Sequence, residues 1–162
     1  NSGGMSKKVS CCVLLLVLVM CSSLQVSDAV NFWMCGTGTK KKYSVQVHSL
    51  TLNPDPIMKY KPATFNISAI SRRNMSISGG KLEILVTWIG LKVYSETIDL
   101  CSTTSCPIKE GNFILTYTEH WPKFRHLVDY HKLQLQMFDE HSTELTCIDI
   151  GFHIKGDLLA KY

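Results

Sequence analysis

From residue 30 to residue 162 the apolar side chains recur at every second position, and no stretch repeats them at helical spacing over several turns. Phe65, Ile67 and Ala69 alternate with Thr64, Asn66 and Ser68. Leu133, Leu135 and Met137 alternate with Gln134 and Gln136, and Ile148, Ile150, Phe152 and Ile154 alternate with Cys147, Asp149, Gly151 and His153. A period of two is the signature of strands with one face buried. Tyr43–Leu52, Lys81–Ile89, Val93–Leu100 and Asn112–Thr118 add further strands, each bounded by Gly, Pro, Asn or Asp. In the first of these the apolar phase slips between Val45/Val47 and Leu50/Leu52, which predicts a bulge near His48. Lys81–Ile89 is apolar on both sides of its alternation at the centre, as a strand in the middle of a sheet would be. About seven short strands with frequent turns imply an all-β chain, an antiparallel sandwich or barrel.

The first 29 residues are expected to be a leader and a secretory signal. Asn1–Gly4 precede Met5, Lys7 and Lys8 follow it, and the apolar run Val13–Met20 is too short for the roughly 20 residues that span a bilayer. Ser27-Asp28-Ala29 offers small residues where a signal peptidase cuts, so cleavage is placed after Ala29. Leu18-Val19-Met20-Cys21 is a poor lipoprotein box, with Val and Met where small residues belong. The remaining domain, 30–162, has no repeat or linker that would divide it. Two of the 17 basic and one of the 13 acidic side chains lie in the leader, so the formal +4 becomes about +3. That balance permits contact with an anionic membrane surface and gives no footprint for nucleic acid. A 45% hydrophobic share with 19% charged residues suffices for a core.

Of seven cysteines, Cys35, Cys101, Cys106 and Cys147 follow the leader. In an oxidising compartment four cysteines imply two disulfides, with three possible pairings; zinc at Cys101 and Cys106 is the rival and lacks two further ligands at compact spacing. The sequons Asn66-Ile67-Ser68 and Asn74-Met75-Ser76 suit the same route, and Asn66 falls on the polar side of its strand. No nucleophile elbow, HExxH, P-loop or dinucleotide fingerprint occurs, so no enzyme, cofactor or metal is expected. Cys35-Gly36-Thr37-Gly38-Thr39-Lys40 neither follows a strand nor opens a helix and is expected to be a polar turn. Lys40–Lys42 is expected on a solvated edge, able to meet anionic headgroups. Asp139-Glu140 sits between two strands as turn residues rather than an acid–base pair. His126 and His131, five apart, are expected in surface or loop positions. An antibody-type domain needs a Tyr two residues before its second cysteine, and none precedes Cys147.

The segment Ser78–Phe113 resembles the ML lipid-recognition family, its plant-type members most of all. SGGK at Ser78–Lys81, the SET.DLC block at Ser95–Cys101 and Cys-x4-Cys-Pro at Cys101–Pro107 carry the resemblance. Pro54–Pro56, Lys61–Ser68 and Leu145–Phe152 extend it over nearly all of residues 32 to 154. The resemblance implies an immunoglobulin-like antiparallel β-sandwich with a lipid pocket between its sheets, a Cys35–Cys147 bridge and a small Cys101–Cys106 loop. Two departures stand out: Tyr60 occupies a position where the plant pattern has Gly, and Trp121–Tyr130 lacks the Gly and Pro expected after Pro122-x-Phe124.

On that reading the inward residues of facing strands line the pocket: Phe65, Ile67, Ile84, Val86, Trp88, Leu133, Leu135, Met137, Ile150 and Phe152. Alternation by itself describes a packed core equally well. The implied function is a secreted or vacuolar monomer holding one lipid, a sterol or a phospholipid such as phosphatidylglycerol or phosphatidylinositol, and moving it between membranes. The alternative is a defence protein that recognises a lipid or glycolipid together with a receptor.

Overall fold

In the computed structural model, residues 30–36, 42–120 and 129–156 are described. Residues 1–29, where the leader and signal are expected, residues 37–41 of the glycine-rich segment, residues 121–128 with His126, and residues 157–162 lie outside them. Nine strands follow in order: β1 (Phe32–Met34), β2 (Val45–Asn53), β3 (Ile57–Met58), β4 (Pro62–Ser71), β5 (Gly80–Trp88), β6 (Leu91–Asp99), β7 (Gly111–His120), β8 (Asp129–Asp139) and β9 (Glu144–Lys155), with one 3-10 turn at Leu100–Ser102. They form two sheets, β1-β9-β8-β5-β6 with β3 added to β9, and β2-β4-β7. The fold is an antiparallel β-sandwich of the immunoglobulin-like kind. Among the described strands only the two-residue β3 pairs in parallel.

The alternation decides what lies between the sheets. Leu82, Ile84 and Val86 pair across β8 with Met137, Leu135 and Leu133, whose other neighbours on β9 are Thr146, Ile148 and Ile150. On the facing sheet Phe65 and Ile67 pair with Tyr117 and Leu115. All the apolar members of these rows are buried in one core. The slip in β2 lies between Val47 and Ser49, so His48 is the bulge residue, and β5 runs between β8 and β6.

The two ends of the sandwich are built differently. At one, the connections β4–β5 and β6–β7 are bound together: the backbones of Ile77 and Ile108 exchange two 2.9 Å hydrogen bonds, and Thr116 N–H donates to Thr103 O at 2.9 Å. Disulfides join Cys101 to Cys106 in this region and Cys35 to Cys147 between β1 and β9. The first pair of sulfurs is therefore spent in a bridge and holds no metal. The β8–β9 hairpin closes here on Asp139, 3% exposed, which accepts from Arg73 at 2.6 Å and from the backbone N–H of Thr143 and His141 at 2.8 and 3.0 Å. Burial pushes its carboxyl up, but these donors outweigh it and hold the pKa below the ordinary value. The opposite end carries the turns around Tyr60 and Ile89-Gly90-Leu91. Tyr60 has φ +65, a left-handed backbone that glycine adopts without strain, which explains why a Gly-to-Tyr departure stands out at this position.

Candidate functional site

All ten inward residues singled out by alternation lie on the inner faces of the two sheets: Phe65 and Ile67 on β4, Ile84, Val86 and Trp88 on β5, Leu133, Leu135 and Met137 on β8, and Ile150 and Phe152 on β9. Nine are buried, and Trp88, near the Tyr60 end, is half-buried. Phe65 touches the other sheet edge-on through Phe152, with ring centroids 6.1 Å apart, and its own neighbour Tyr117 at 6.2 Å. These side chains pack against one another in a single core between the sheets. A groove of about 1070 Å³ lies on the outer face, where Ser68, Ile114 and Thr116 meet the Ser102–Glu110 loop. Its lining is mixed polar and apolar.

Four polar residues also face inward, where β6 and β7 leave an unpaired edge on each sheet. Register places Tyr94 and Glu96 beside Val86 and Ile84, and Tyr117 and Glu119 beside Phe65 and Ala63. The Tyr94 hydroxyl bonds to Glu96 and, at 3.1 Å, to Glu119; the Tyr117 hydroxyl lies 2.7 Å from Glu119 and 3.3 Å from Glu96. Two phenols and two carboxyls thus bridge the sheets across their open edge. Burial first, then the adjacent carboxylates, pushes both phenols well above their ordinary pKa. Burial alone would raise Glu119, but the Tyr117 and Tyr94 hydroxyls, Glu96 and the His120 N–H reverse that and hold it low.

A carboxyl whose pKa falls on folding adds stability above its unfolded value, near 4.3, and loses it as the pH drops through the folded one. Wild-type protein is therefore expected to melt at falling temperature from pH 5 towards pH 3. Glu119→Gln removes this contribution and should reduce the decline by a few degrees, leaving the part due to Asp139. A melting temperature with the same pH slope in both proteins would refute the role of Glu119.

His131 corrects the expectation of a surface histidine. It is fully buried, on the inner face of β8 in phase with Leu133 and Leu135, stacked on Phe152 at 5.7 Å. Extending the β8 alternation by one step to its N-terminal side was the signal that could have found it. The Tyr–Glu bridge had no such signal, because β6 and β7 become edges only through the sheet order. Among the described residues no three His, Cys, Asp or Glu side chains come together as a metal site.

The ML-domain family model matches residues 29–154. The chain belongs to the ML-domain family. Among the chains similar to this ML protein is the MD-2-related lipid-recognition protein ROSY1 of Arabidopsis thaliana, 31% identical over 105 residues, which are 62% of this chain and 63% of that relative. A Dictyostelium discoideum protein assigned provisionally by its name to phosphatidylglycerol/phosphatidylinositol transfer is 25% identical over 145 residues, 87% of this chain and 99% of its own length. A solved Niemann-Pick type C2 protein from the Japanese carpenter ant has the same fold, with a TM-score of 0.59 at 13% identity over 77% of this chain and 99% of that one. The family is one of lipid-binding and transfer proteins.

Proposed function

We propose that the protein holds one lipid, a sterol or a phospholipid, between its two sheets and carries it between membranes in the secretory lumen, the vacuole or outside the cell. The observation that carries this reading is the membership of residues 29–154 in a lipid-binding family, joined to two facing rows of large apolar side chains with no backbone pairing between their sheets. A methylene contributes about 0.8 kcal/mol whether it is buried in a bilayer or in an apolar pocket, so moving a tail from one to the other is nearly balanced. The end opposite the disulfide loop supports a membrane-facing mouth. There Tyr60, Ile89 and Leu91 are 58, 77 and 65% exposed, and Lys59, Lys61 and Lys92 adjoin them in sequence. Apolar tips ringed by lysines suit an anionic bilayer surface. Secretion, sugar on exposed Asn74 and on the outward-facing Asn66, and a monomeric state belong to the same proposal.

Native mass spectrometry of protein purified from its own source, followed by organic extraction, is expected to show one lipid per chain, and mixing with vesicles should exchange it. Leu91→Asp should slow transfer from phosphatidylglycerol vesicles about tenfold, the effect of losing roughly 1.4 kcal/mol of surface contact. A chain that carries and accepts no lipid would leave only a packed adhesion-type sandwich. A lipid that is held but never exchanged without a protein partner would instead favour the recognition role.

A further inference from the structure

Among the described residues, two of the three buried side-chain polar atoms without a hydrogen-bond partner occupy neighbouring strands at one level of the sheet. They are Nε1 of Trp88 and Nε2 of His131. Thr87 pairs with Lys132, so the next rung of the β5–β8 ladder sets Trp88 opposite His131, and His131 pairs onward with Phe152 of β9. Both side chains therefore belong to the inward row that faces the second sheet, near the Tyr60 end. The third orphaned atom, Thr146 Oγ1, lies opposite Met137, far along β9 from this row.

The hydrogen-bonding character of each atom follows from chemistry. Nδ1 of His131 sits 2.9 Å from the carbonyl oxygen of Asp129, and a carbonyl only accepts, so Nδ1 carries a proton. Burial, only partly offset by Asp129, moves the imidazole towards its neutral form. A neutral ring protonated at Nδ1 presents a bare lone pair at Nε2. Trp88 Nε1–H is a donor only. An acceptor and a donor on neighbouring strands at one level match one group, a hydroxyl, which gives its proton to His131 and takes one from Trp88. An anionic phosphate diester does not fit, because it has no proton to give at neutral pH.

We propose that Trp88 and His131 form a hydroxyl-recognition site in the lipid-binding interior, and that the ligand is an uncharged lipid alcohol whose oxygen lies between them. This rests on the lipid-holding function proposed above and narrows it, placing a free alcohol rather than an ionised headgroup against β5 and β8. Unpaired buried donors and acceptors are rare in folded proteins, and a ligand that satisfies both is selected over an analogue that satisfies one.

The test compares two lipid alcohols, a fluorescent sterol and a diacylglycerol, each with its own O-methyl ether, on delipidated full-chain protein. The ether can still accept from Trp88 but has no proton for His131. At least one alcohol is expected to bind ten- to a hundredfold more tightly than its ether, and His131→Phe, which keeps the stack on Phe152, should bring that ratio close to one. Equal affinities of wild-type protein for both alcohols and their ethers would overturn the site while leaving lipid binding intact. Binding of none of the four would overturn the site, whereas the lipid-holding function falls only if the protein purified from its own source also carries and accepts no lipid. The wild-type comparison stands by itself if the variant fails to fold. A ratio that survives in folded His131→Phe also overturns the assignment.

Discussion

Gly80→Ala is expected to cost about 3–5 kcal/mol, enough to deplete the folded protein severely, whereas Gly79→Ala next to it should change stability by less than about 1 kcal/mol. The two glycines of the Ser78–Lys81 motif look equivalent in the sequence, yet they stand in different surroundings. Gly80 has φ +145 and pairs with Asp139 at the start of the β5–β8 ladder. A Cβ built there would lie 2.0 Å from the carbonyl oxygen of Phe138 and 2.9 Å from the Cα of Asp139. Both are backbone atoms of the strand that β5 must join, so no rotamer relieves the clash. Shifting β8 away would also disturb Asp139 and its bonds to Arg73 and the turn. A Cβ at Gly79 meets nothing within 4 Å. Urea unfolding of the two variants and wild type measures the difference; equal midpoints for Gly79→Ala and Gly80→Ala would show that the backbone gives way more easily than its neighbours suggest.

That contrast marks how far the sequence could be read. The period of two assigned Phe65, Ile67, Leu133, Leu135 and Phe152 to an inner face because parity along a strand is a local property. It located the His48 bulge for the same reason, since a phase slip needs one extra residue. The two short strands β1 and β3 carry too few alternations to register, and they form because β9 is long enough to pair with both. Sheet order is a non-local result. It decides that β6 and β7 end as edges, and so that Tyr94, Glu96, Tyr117 and Glu119 meet across the opening. His131 is legible by its parity with Leu133, whereas its five-residue spacing from His126 points to the surface. The orphaned Trp88 Nε1 could not be read at all, because a hydrogen bond that is not made leaves no trace in the order of residues.

Replacing Cys35 and Cys147 together by serine is expected to remove about 4–5 kcal/mol, against roughly 2 kcal/mol for the Cys101/Cys106 pair. The first bridge closes a separation of 112 residues and the second one of 5, and the entropy withheld from the unfolded chain grows with the logarithm of the loop. Thermal unfolding should therefore fall by about 15–20 °C in the first variant and by less than half of that in the second. Similar losses in both would mean that native-state contacts of the small loop, such as Ile77 with Ile108 and Thr103 with Thr116, matter more than chain entropy. The size of the long-loop contribution also bears on function. On the proposed function the facing rows separate for a guest and give up dispersion contacts each time they open, and a reserve of stability held in the unfolded state is not spent by that opening. The same double variant should then unfold more readily without lipid than with it, and added ligand should recover part of the lost melting temperature in proportion to the logarithm of its concentration.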